Sequence, residues 1–134
     1  MGVPDYLLKS VLRLVGAQRL VRTLCDHCAE PIHDLNDQEA ELLQGLARLD
    51  PSLGPPDTWV PCVSVGCTRC NDTGFAGRTA VFEMLDDTES FAAATASGKP
   101  THRTMEMEAL GLFSRGRTTL PELVRVFGTT AFLP

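Results

Sequence analysis

Four cysteines arranged as two Cys-x-x-Cys pairs, Cys25-Asp-His-Cys28 and Cys67-Thr-Arg-Cys70, are the residues of this 134-residue chain whose types and spacing point to chemistry. Two residues between paired cysteines let a tight turn aim both sulfurs at one point. Two such turns supply the four thiolates of a closed tetrahedral zinc site. Cys25, Cys28, Cys67 and Cys70 are therefore the expected ligands of one structural Zn2+ per chain. Four thiolates leave no open position for water or substrate, so such an ion holds the fold and catalyses nothing. The 38 residues between the pairs exceed the roughly 15–20 of a simple ribbon. A helix inserted between the two turns accounts for the excess.

Other readings compete with this one. Cys62 lies five residues before Cys67 and could replace it, His27 sits inside the first turn, and His33 could ligate from the loop beyond. The plainest alternative is two buried or disulfide-forming pairs. A thioredoxin-like redox role needs a strand before a Cys-x-x-Cys that opens a helix, whereas Cys25 follows a helical pattern. Gly74 and Gly77 beside Arg78 read as a tight turn leaving the second pair. The chain has no Gly-x-x-x-x-Gly-Lys-Ser/Thr loop to cradle a triphosphate, no glycine-flanked serine elbow and no His-Glu-x-x-His pair.

Composition narrows the setting. Seventeen acidic against twelve basic residues give a net charge of −5, which argues against binding to nucleic acid phosphates. The apolar fraction is 43% but only 6% is aromatic, so the core is thin and benefits from a staple. No apolar run is long enough to span a bilayer, and the N-terminus does not read as a signal peptide. A cytoplasmic, reducing setting follows, in which paired cysteines favour metal over disulfide. Five cysteines fit four ligands and one bystander.

The elements that must position these residues are read from periodicity. Residues 5–15 predict a helix with Leu7, Leu8, Val11, Leu12 and Val15 on one stripe. Residues 17–24 predict a second, with Ala17, Leu20, Val21 and Leu24 inward and Arg19 and Arg22 facing away as solvated or interfacial charges. Asn36 and Glu39 form a capping-box pattern opening a helix over 36–49, with Leu42, Leu43, Leu46 and Leu49 as its buried stripe and Pro51 as its stop. Residues 51–61, with four prolines and a glycine, read as a loop. Residues 79–85 suit a short strand, and a helix is expected from Asp86 to Gly98. Another covers 102–115, with Met105, Ala109, Leu112 and Phe113 on one side. The last is capped at Thr119 with Pro121 in its first turn and Glu122 completing a capping box. It presents Leu120, Leu123, Val124 and Phe127. The expected fold class is mostly α, with a small zinc-knuckle element and a short strand.

Three ordered motifs carry a family resemblance. Gly2-Val3-Pro4-Asp5-Tyr6-Leu7-Leu8 and Ala17-Gln18-Arg19-Leu20-Val21-Arg22-Thr23-Leu24-Cys25 come first. Cys67-x-x-Cys70, Thr73-Gly74-Phe75-Ala76-Gly77-Arg78-Thr79 and Glu83 follow. Gly116-Arg117-Thr118-Thr119-Leu120-Pro121-Glu122-Leu123-Val124-Arg125-Val126 comes last. Together they resemble the C-terminal region of the type II secretion and type IV pilus assembly ATPases. The resemblance implies three segments: residues 1–24 as tail helices of a RecA-like core, 25–79 as a tetracysteine subdomain enclosing the 36–49 helix, and 80–134 as C-terminal helices. Family members are hexameric cytoplasmic motors at the bacterial inner membrane. The resemblance thus implies a non-catalytic zinc-binding region that braces the core and meets neighbouring subunits or inner-membrane platform proteins, with self-association possible for the separate chain. Where the family has Tyr-Arg, this chain has Phe75-Ala76. Met1 falls where the family carries an internal methionine, so a shortened chain or a reading frame opened at an internal start is expected. A free-standing zinc-ribbon adaptor for protein or nucleic acid is the alternative, favoured by Phe75 as a stacking residue beside a knuckle.

Overall fold

The computed structural model describes Leu7, residues 10–86 and residues 102–132. Its backbone is a long antiparallel ribbon, β1 (Val15–Leu24) with β4 (Phe75–Leu85), and everything between the two strands is one excursion from their shared end. That excursion contains a second, three-residue ribbon of β2 (Ala29–Pro31) with β3 (Cys62–Ser64) and the helix α1 (Asp37–Leu49). Helices α2 (Met105–Ser114) and α3 (Leu120–Phe127) follow β4. The described residues are therefore mixed α and β, and the expectation of a mostly α chain is corrected.

The main error lies at residues 17–24, which form β1 and not a helix. Ala17, Leu20, Val21 and Leu24 fit the helical spacing, and nothing in the segment alone selects a strand. The partner decides: Val15 faces Leu85, Arg19 faces Val81 and Val21 faces Thr79 across the ribbon. Val21 and Val81 are fully buried on its inner side, whereas Leu20, Phe82 and Met84 stand exposed on the other. Of the expected helix over 5–15, Leu7, Ser10 and Val11 are helical, residues 12–14 are not, and Val15 already belongs to β1. The strand expected over 79–85 starts four residues earlier, at Phe75. The helix expected from Asp86 to Gly98 lies outside the described residues, apart from Asp86 itself.

The helices after residue 35 follow their sequence signals. Asn36 caps α1, with both arms of the capping box formed at 2.9 Å. Leu43 and Leu46 are buried and Leu42 packs beside them, but Leu49 is 43% exposed and drops out of the expected stripe. The proline-rich stretch makes two 3-10 turns, Pro51–Leu53 and Pro56–Thr58. These bring Trp59 edge-on to Phe113, ring centres 6.4 Å apart, and its indole N–H donates to the Leu53 carbonyl. Ala109, Leu110 and Phe113 of α2 and Leu123 of α3 complete the core around Val21 and Val81. Glu83 seats the start of α2: one carboxylate oxygen accepts the Met105 N–H at 3.2 Å and the other meets His102 Nε2 at 2.7 Å.

Candidate metal centre

Both cysteine pairs lie at the closed end of the long ribbon, one just past the end of β1 and the other just before β4. In the first, the N–H groups of Cys28 and Ala29 both donate to the Cys25 carbonyl, curling the chain so that Cys28 returns toward Cys25. In the second, Cys67 opens a 3-10 turn over Thr68–Cys70, and Asn71 and Asp72 continue it with positive φ. The Cys25 N–H donates to the Gly74 carbonyl at 2.9 Å and stitches the two turns together. Gly74 has φ +75, and a Cβ there would sit 2.5 Å from the Ser64 side chain, so the crossing accepts only glycine.

The four sulfurs of Cys25, Cys28, Cys67 and Cys70 all lie within 4.8 Å of one another. Tetrahedral zinc–thiolate bonds of about 2.3 Å require sulfurs about 3.8 Å apart, and Cys28–Cys70 and Cys67–Cys70 are each at 3.8 Å. Cys25 and Cys70 are buried, and Cys28 and Cys67 are half-buried. Burial opposes ionisation of Cys70. The Cys67 and Gly74 N–H groups aimed at its sulfur, both at 3.2 Å, overcome that with help from the neighbouring thiols and bring its pKa down to about 6. Burial pushes Cys28 up to about 12 in the same cluster. The donor set, its spacing and its amide support suit one tetrahedral ion.

The competing residues are placed elsewhere. Cys62 lies in β3, its Sγ 3.5 Å from the Val60 carbonyl and tucked against Gly116, where a Cβ would approach it to 2.6 Å. Its thiol is pushed up by burial. His27 and His33 are exposed, and neither joins the cysteine group among the described residues.

Sequence reasoning missed the arginine–carboxylate cluster behind the metal centre. Arg22, expected to face away, donates through Nε and Nη2 to Glu122 Oε2 at 2.9 and 2.6 Å, and its guanidinium lies 4.1 Å from the centre of the Phe75 ring. Glu122 is only 1% exposed. Thr119 does cap α3, but the expected return arm from Glu122 is not made, because that carboxylate is held by Arg22 and Arg125. Arg19 lies over the Phe127 ring, 5.1 Å from its centre, and the exposed Arg117 meets Asp26 at 3.3 Å. Nothing local in the sequence marks a contact between residues 100 apart.

Fold and cysteine cluster together define a tetracysteine module spliced into a β-ribbon and backed by two helices. The model of the type II/IV secretion system protein family matches residues 1–125, and the chain belongs to that family. It is 35% identical to type II secretion system protein E of Aeromonas hydrophila, over 94% of this chain and 25% of that protein. It is 30% identical to the type IV pilus assembly ATPase PilB of Myxococcus xanthus, over 98% of this chain and 24% of that protein. Type II secretion system ATPase E of Vibrio cholerae matches at 32% over 94% of the chain. The chain thus spans about a quarter of the length of these relatives. Among the described residues, no helix is long and apolar enough to cross a membrane.

Proposed function

We propose that this chain is the non-catalytic, zinc-binding C-terminal region of a secretion or pilus motor ATPase. The observation that carries the reading is the convergence of four cysteine sulfurs from two distant turns within 4.8 Å of one another. When bound, zinc supplies folding free energy and no reaction step. Cys25 and Cys28 would hold it from the end of β1, and Cys67 and Cys70 from the start of β4. The reading keeps a three-part division, with residues 1–24 as the junction to a RecA-like core, 25–79 as the metal subdomain and 80–134 as the C-terminal part. β1 of the first part ties them together by pairing with β4. In this reading the region braces the motor core and offers surface to neighbouring subunits and platform proteins, on the cytoplasmic side of the bacterial inner membrane. Phe75 carries the Arg22 guanidinium over its ring, and the net charge of −5 counts against the alternative of a nucleic-acid adaptor.

Metal analysis with cysteine variants tests the site. Purified protein should hold about one zinc per chain. Cys25→Ser and Cys70→Ser should lose the metal and the cooperativity of unfolding, while Cys62→Ser keeps both. A Cys62→Ser protein without zinc beside a Cys67→Ser protein that retains it would refute the ligand assignment.

A further inference from the structure

Arg22 precedes Cys25 by three residues and touches both strands that deliver the cysteine turns. It belongs to β1, and its guanidinium covers Phe75 at the start of β4. Phe75 adjoins Gly74, whose N–H donates to Cys70 Sγ and whose carbonyl accepts the Cys25 N–H. The same arginine is held from behind by α3. Glu122 accepts the Arg22 backbone N–H on Oε1 at 3.0 Å and the guanidinium on Oε2. The loop before α3 adds two bonds to the same segment: Thr118 Oγ1 donates to the Arg22 carbonyl at 2.8 Å, and the Leu24 N–H donates to the Arg117 carbonyl at 2.9 Å. The residues that place the first sulfur and those that support the last are thus both gripped by one arginine, and Glu122 sets its position.

We infer that Arg22 and Glu122 are positioning residues for the metal centre, coupling metal affinity at the cysteines to the docking of α3. The inference rests on reading the cluster as a zinc site. Neither residue touches a sulfur. Their influence passes through the backbone of residues 22–25 on one side and through Phe75 and Gly74 on the other. Coupling between two sites is reciprocal, so whatever metal does for α3, α3 does for metal. The link is held at two points, because the buried Glu122 carboxylate accepts both the backbone N–H and the guanidinium of Arg22.

The test uses the full chain, with zinc affinity read by competition against a chromophoric chelator under conditions where every variant is folded. Hydrogen exchange of the α3 amides is followed with and without zinc. Glu122→Gln should still bind one zinc but roughly ten-fold more weakly, the lower end of what outer-shell partners contribute. Phe75→Leu, which leaves the Glu122 pairing alone, should weaken binding in the same direction. Stripping zinc from the wild type should speed exchange in α3. Leu46→Ala lowers stability through α1 but removes none of the bonds that hold Arg22 and Glu122, and should keep wild-type zinc affinity. Wild-type affinity in Glu122→Gln overturns the proposal, and so does an equal weakening in Leu46→Ala, which would mean that global stability alone is being read. Should Glu122→Gln fail to fold, Phe75→Leu decides by the same criterion. A wild-type chain that takes up no zinc overturns the metal reading and the coupling with it. A zinc-binding wild type with unaffected variants overturns the coupling alone.

Discussion

Glu122 shows how much a single residue can conceal. Its position three after Thr119 reads as a local capping partner, yet its carboxylate is the buried anchor of a contact with the other end of the chain. Burial works against its charge, but hydrogen bonds from Arg125 and Arg22 outweigh that and hold its pKa at about 2, below the ordinary 4.5. Between those two values the unfolded chain binds more protons than the folded one, so stability rises with pH across the window. The contribution is complete above 4.5 and is lost as pH falls toward about 2. Glu122→Gln has no such proton to gain. The gap in thermal midpoint between wild type and Glu122→Gln should therefore be widest near neutral pH and shrink with acidification. A gap that stays constant down the series would mean the carboxylate is not ionised in the fold. The grouping of the four cysteines, by contrast, is legible from spacing alone, because two-residue turns are local objects and need no knowledge of the fold.

At the level of elements, legibility followed locality. Caps and turns are short-range devices, so Asn36 with Glu39 and Thr119 with Pro121 marked α1 and α3 to within a residue. Residues 15–24 carry apolar side chains at helical spacing, and the arbiter that makes them a strand, β4, lies more than 50 residues on. The two readings make different demands on neighbouring side chains. A helix would bury Leu20 together with Val21, while β1 leaves Leu20 51% exposed and Val21 fully buried. In urea unfolding, Val21→Ala should cost roughly 2 kcal/mol, whereas Leu20→Ala should fall within about 0.5 kcal/mol of wild type. Comparable losses at the two positions would restore the helix. Leu110→Ala, in the middle of α2 and fully buried, should cost about 2–5 kcal/mol.

For the whole molecule, the metal is expected to act as a folding ligand and the chain to hydrolyse nothing. Chelation should lower the melting temperature and broaden the transition, since in a site assembled only by folding the binding energy is folding energy. Purified chain should show no ATP turnover and no saturable nucleotide binding, because it lacks a glycine loop and lysine to hold a triphosphate. Activity that survives removal of contaminating ATPases would contradict this. The topology of the ribbon also bears on how the chain assembles. Starting at its open end, Val15 with Leu85, would close a loop of roughly 70 residues, while the pairing of Leu24 with Phe75 closes roughly 50. Loop-closure entropy separates those two starts by only a few tenths of a kcal/mol, so chain statistics alone give β1 and β4 little guidance about where to begin. The cysteine turns break that near-tie, because they meet at the Leu24–Phe75 end. Once they have met, each further rung adds only neighbouring residues to a loop already shut. The ribbon would then zip outward from the cysteines, and a chain made without metal would have to search for its register.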